Sequence, residues 1–132
     1  MIEPWVTAWS KQIYGKLHHE PFRPEAREWE FQSTGALSGA NGALPWILFE
    51  RDRAQFVREF PAWVLDKIEI QMPFRYLLSG GMSMRSFAPG WSFGFWRGLE
   101  RALQPWMHCL GMFALIVLKR SGSGPSGRAT SP

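Results

Sequence analysis

His18-His19-Glu20 is the densest polar cluster in the sequence. A histidine titrates near neutrality, so one facing a substrate could take a proton or donate a hydrogen bond. Adjacent histidines point in different directions, and a metal site would need further ligands at matching spacing. In a solvated loop the same residues do no chemistry. Asn41 precedes a helical stretch, where it either caps or braces a turn or orients a polar substrate. Tyr76, Ser79, Gly80 and Gly81 form a second candidate lining segment, in which the glycine pair permits close backbone approach or simply turns the chain. Arg75 beside them would hold an anionic group or stand exposed. No serine sits in a G-x-S-x-G elbow, which argues against a Ser-His-Asp hydrolase.

The elements that must position these residues are legible in outline. Thr7 to Leu17 reads as a short helix, with Thr7 as N-cap and Trp9, Ile13 and Leu17 on one face. Pro21 and Pro24 make the following segment a loop. Residues 33–42, rich in Gly, Ser and Asn, continue it. Residues 43–60 are expected to be mostly helical, with Phe49, Phe56 and Phe60 buried. Val64–Gln71 alternates apolar and polar as a half-buried strand does. Residues 73–90 read as loop. Trp91–Cys109 reads as an aromatic helix with an Arg97–Glu100 pair at i, i+3, broken or restarted at Pro105. Its aromatic face would dock on a sheet or cap an apolar substrate. Met112–Leu118 is a continuous apolar run, suited to a strand covered on both faces. The glycines at 35, 39 and 42 follow no strand, so they read as a flexible loop and not as a cofactor cradle.

Bulk properties narrow the classes. The 132 residues are 45% hydrophobic and 20% charged, as in an ordinary globular domain. The net charge of +4 is spread along the chain without a dense basic block, which does not suggest a nucleic-acid partner. The single cysteine, Cys109, excludes an internal disulfide and fits a cytoplasmic location. It lies in an apolar run, as a small buried hydrophobe would. The longest apolar stretch, residues 110–118, is too short to span a membrane, which needs about 20 residues. Eight Trp and ten Phe exceed what a core of this size needs. Either the core is Trp-rich, with each buried indole N–H given a partner, or some of these rings line a cavity or a surface that another chain covers.

SGANGALPWILFERDR (Ser38–Arg53), PFRYLLSGG (Pro73–Gly81), LGMFALIVLKR (Leu110–Arg120) and the opening "IEP" occur in an order that resembles the C-terminal part of a class I S-adenosylmethionine-dependent methyltransferase. The resemblance covers most of residues 1–120, and residues 121–132 read as a Gly/Ser/Pro tail. It implies an α/β chain with the last strands and helices of a Rossmann-like methyltransferase fold. Met1–Pro4 would end the fifth strand, Val64–Gln71 would be the sixth, and Met112–Leu118 the antiparallel seventh, paired with both. It further implies a small-molecule substrate, with His18, His19, Asn41, Tyr76 and Ser79 as lining candidates. The family's glycine-rich turn and ribose-binding acid are absent from this sequence. No cofactor binding by the chain alone is therefore expected, although S-adenosylmethionine serves the intact family. A chain supplying the N-terminal half is the implied partner; nucleic acid and membrane are not. The competing reading is a non-enzymatic module that completes its sheet with a partner chain. A third, a membrane-surface protein using the Trp91–Trp106 helix with Arg97 and Arg101, is opposed by Glu100 and by the small number of basic residues.

Overall fold

A computed structural model describes residues 1–17, 21–29, 41–78 and 88–122. Three strands form one sheet. Phe113–Arg120 (β3) lies in the middle, between Ile2–Pro4 (β1) and Trp63–Gln71 (β2), in the order β1-β3-β2. Both pairings are antiparallel, so β1 and β2 run parallel to each other. The antiparallel pairing of the alternating and the continuous apolar runs is as the sequence predicts.

Register follows from the hydrophobic pattern. Ile68 and Ile70 pair with Ile116 and Ala114, and all four share one face. Period-two alternation would put Asp66 on that face and Leu65 off it. A bulge between Leu65 and Lys67 reverses this. Leu65 and Leu118 thereby join the core of Trp5, Phe49, Phe56, Ala114 and Ile116. Asp66 turns outward and accepts an ion pair from Lys119 at 2.8 Å. The opposite face is thinner. Leu115 and Val117 are half-buried and pair with the polar Glu69 and Lys67. The continuous run of β3 is therefore packed into the core on one face only, not on both as its sequence suggests.

Helix α1 (Ala8–Leu17) begins as expected at Thr7, whose Oγ1 accepts the Ser10 amide at 3.0 Å. Its buried face is Ser10 and Tyr14, one turn apart, with Trp9 and Ile13 on the flanks. That corrects the expected Trp9–Ile13 stripe. Ser10 can be buried because its hydroxyl donates to the Trp5 carbonyl at 2.6 Å.

The next helical stretch comprises α2 (Leu44–Trp46), one wide π turn (Ile47–Arg51) and α3 (Arg53–Glu59). The wide turn closes with the Asp52 amide on the Ile47 carbonyl at 2.8 Å. Phe49 and Phe56 are buried as predicted, whereas Phe60 is exposed. It sits past the helix end, where Pro61 turns the chain outward, and one side of its ring rests on Phe56 and Trp29.

Arg51 and Asp52 clamp residues 21–29 to this stretch. Arg51 donates to the carbonyls of Pro24 and Ala26 at 2.8 and 2.6 Å and to the Asp52 carboxylate. Asp52 also accepts the Trp29 indole N–H at 2.9 Å. The Arg51 hydrogen bond, then the Trp29 one, pull the Asp52 carboxyl down to about 2 from 3.8. A depressed folded-state pKa adds stability that is complete above the unfolded value. It is lost as pH falls through the folded one. Asp52→Asn is therefore expected to lower the melting temperature at pH 7 more than at pH 2.5. Equal losses at both pH values in thermal melts would contradict this.

β2 leads through Met72, at φ 57°, and the buried Pro73 into a short helix, α4 (Arg75–Leu78), where the sequence suggested loop. A 3-10 turn (Gly90–Ser92) opens α5 (Phe93–Ala102). The helix ends before Pro105, which sits in a second 3-10 turn, and α6 (Met107–Leu110) follows. The break at Pro105 is as expected. The Arg97–Glu100 pair is not formed, because Glu100 turns inward to Arg75. α5 packs on α4, and α6 packs on β2, so the aromatic helix is not the one laid on the sheet. Cys109 is exposed, not buried, since α6 turns it away from β2. No helix among the described residues is long and apolar enough to cross a membrane.

Candidate functional site

Two cavities share one wall at the carboxyl ends of the parallel strands β1 and β2. The larger, about 360 Å³, is lined by Met72, Arg75, Tyr76 and Leu78 on one side and by Ala88, Pro89, Gly90, Ser92, Phe93 and Trp96 on the other. The smaller, about 140 Å³, is lined by Pro4, Tyr14, Pro21, Phe22, Gly42, Tyr76 and Phe113. Tyr76 lines both, and its ring meets Phe113 edge-on at 4.6 Å.

Glu100 anchors the larger cavity. Its carboxylate is 5% exposed. It accepts the amides of Phe74 and Arg75 at 3.1 and 2.9 Å and the Arg75 guanidinium through Nε. A carboxylate on the first amides of a helix favours the helix electrostatically as well as by hydrogen bonding. Arg75 is thus a paired charge whose other contact is the face of Phe93, 5.5 Å from the ring centre. This corrects the two sequence readings of Arg75 as a free anion holder or an exposed residue. The cavity is apolar and aromatic, with a neutralised ion pair at its edge.

The smaller cavity carries both tyrosines of the chain. Burial, then the neighbouring Tyr76, pushes the Tyr14 phenol above its ordinary range. Its hydroxyl therefore stays protonated at neutral pH. It lies 3.5 Å from the Met112 carbonyl, so it works as a donor and not as a base.

Asn41 has a structural job. Its Oδ1 accepts the amides of Arg23 and Ala43 at 2.8 and 3.1 Å, and its Nδ2 donates to the Arg23 carbonyl at 2.8 Å. With both ends of the amide engaged, it braces the Pro21–Phe22 wall of the smaller cavity and does not face a substrate. His18, His19 and Ser79, with Gly80 and Gly81, lie outside the described residues. Of the sequence candidates, the structure places Tyr76 in the site and Asn41 behind it. Sequence reasoning missed Tyr14, Phe22, Phe93, Trp96 and Phe113 as individual lining residues. For Phe93 and Trp96 the signal was the aromatic helix read as able to cap an apolar substrate; for Tyr14, Phe22 and Phe113 it was only the surplus of aromatics.

Compared with protein-family models, curated proteins and solved structures, the chain matches none. The functional reading therefore rests on topology and on the cavities themselves.

Proposed function

We propose that this chain is the C-terminal portion of a class I S-adenosylmethionine-dependent methyltransferase acting on a small molecule, and that it is inactive alone. The observation that carries the reading is the sheet order. The last strand in the chain lies between two parallel strands and runs antiparallel to both. This is the arrangement implied for the fifth, seventh and sixth strands by the resemblance of "IEP", the PFRYLLSGG segment and the closing apolar run. The cavities at the carboxyl ends of β1 and β2 support it, since that is where a doubly wound sheet takes its ligands.

The residues described do not fit the cofactor. β1 leads into the buried Trp5, Val6 and Thr7, and β2 into Met72 and Pro73. Neither strand opens a glycine-rich turn into a helix, and neither ends on an acid placed for a ribose. In this reading the chain contributes the acceptor side. Tyr76 sits between an aromatic cavity for the body of the substrate and a smaller one near Tyr14. Aligning an acceptor atom is much of what methyl transfer requires.

The same topology serves the second reading, a module that completes its sheet with another chain. Met1 exchanges hydrogen bonds with Ile116 of β3, and the Trp5 amide donates to the Met112 carbonyl just before it. Alternation then directs the Ile2 amide and carbonyl and the Pro4 carbonyl to the other edge, available to a further strand. The codons upstream separate the two. An in-frame apolar strand, glycine-rich turn and helix supports the methyltransferase. Its absence leaves the partner module. In either case titration of the purified chain with S-adenosylhomocysteine is expected to give no saturable binding. Saturation near micromolar would show a cofactor site that the sheet order does not supply.

A further inference from the structure

α5 and the 3-10 turn that opens it present two bare rows to solvent. One runs Trp91, Phe95, Gly98 and Ala102, at i, i+4, i+7 and i+11, all exposed. Trp91 is 86% exposed and Phe95 66%; the Phe95 ring meets Trp96 edge-on, 5.2 Å between ring centres, with its other side in solvent. The adjacent row is Gly94, Arg97 and Arg101, also exposed. Neither arginine forms an ion pair with a described residue. A Cβ added at Gly94 or Gly98 would meet nothing within 4 Å. No described part of the chain covers either row there.

The sequence sets Glu100 against a basic reading of this helix. The structure removes that objection, because the carboxylate is inside, held by Arg75 and two amides. Every exposed charge on α5 is therefore positive, beside an exposed aromatic row. We infer that α5 docks the protein on an anionic lipid surface, with Trp91 and Phe95 inserted at the interface and Arg97 and Arg101 among the headgroups. Trp and Phe on one face and arginines on the flank are what the bilayer boundary selects. Charge complementarity specifies anionic lipid. A folded protein partner in place of lipid would leave the chain bound by neither vesicle set. The inference does not depend on the methyltransferase reading, which the upstream codons test separately.

The experiment is sedimentation of the full 132-residue chain with vesicles. One set is phosphatidylcholine alone and the other contains about one third phosphatidylglycerol. Binding to the anionic set, weakened by added salt, is expected, with a blue shift of tryptophan emission. Arg97→Gln and Arg101→Gln are each expected to weaken it about fivefold. Trp91→Ser with Phe95→Ser is expected to abolish the blue shift while leaving the circular dichroism spectrum unchanged. Absence of vesicle binding, or equal binding to both sets, would overturn the inference. So would sedimentation without vesicles that the Trp91→Ser and Phe95→Ser changes relieve, which would assign the row to a second copy of this chain.

Discussion

Glu100→Ala is expected to destabilise the chain by about 3 kcal/mol, the lower end of the cost of breaking a buried ion pair. The lower end applies because the Arg75 side chain keeps 25% of its exposure and can recruit water. The carboxylate has three partners, the amides of Phe74 and Arg75 and the Arg75 guanidinium. Removing it leaves a charge and the start of α4 unsatisfied together. A domain holds about 5–15 kcal/mol in total, so this loss is a large share of it. Glu100→Gln retains the shape and one acceptor, and is expected to cost about half as much. The measurement is urea unfolding followed by far-ultraviolet circular dichroism. A loss under about 1 kcal/mol for the alanine would mean that α4 is held by Phe74, Trp9 and Trp96 packing instead. A double-mutant cycle with Arg75→Ala isolates the ionic part from the two amide bonds.

The Glu100 contact also shows where sequence reading stops. Arg97 and Glu100 stand three apart on one helix, and local geometry alone makes them a pair. The observed partner lies 25 residues earlier in the chain. A long-range contact leaves no trace in the spacing of one helix. The same limit hid the bonds of Asn41 to Arg23, 18 residues away, while its brace on the Ala43 amide is local and was readable. Features set by local chemistry were legible. These include the Thr7 cap, the alternation of β2 and the break at Pro105; the antiparallel pairing of β2 with β3 was expected from their contrasting patterns and from the order of the segments. The burial of Phe49 and Phe56 was readable from helical period, whereas the exposure of Phe60 was not, because its helix ends first. In the site, Tyr76 was readable as a lining residue from the segment that contains it. The cavity walls from Tyr14, Phe93 and Trp96 come together only through tertiary packing.

Gly111→Ala is expected to destabilise by about 2–3 kcal/mol, an overpacking cost. Sequence suggests only that Gly111 releases the chain from helix to strand. Its backbone, at φ −64° and ψ 144°, is one that any residue adopts, so no conformational strain is involved. The constraint is space. Gly111 is buried where α6 crosses the end of β2. A Cβ there would run into Cγ2 of Ile70, with the Met107 carbonyl at 3.0 Å and the Gln71 amide at 3.2 Å. Ile70 cannot simply swing away, because it packs against the core of Trp5, Phe49 and Ile116. The backbone cannot retreat either. The Gly111 amide donates to the Met107 carbonyl at 2.8 Å, and the Gly111 carbonyl accepts from Thr7 Oγ1 at 2.8 Å. The glycine thus sets the distance between β2 and the α6 turn. Ile70→Ala removes the methyl that the new Cβ meets, at the cost of a cavity. The double variant Gly111→Ala, Ile70→Ala is expected to lose at least 1 kcal/mol less than the sum of the two single losses, because one change relieves the clash made by the other. Strict additivity in urea unfolding would mean that the Met107 and Gln71 backbone contacts, and not Ile70, set the cost.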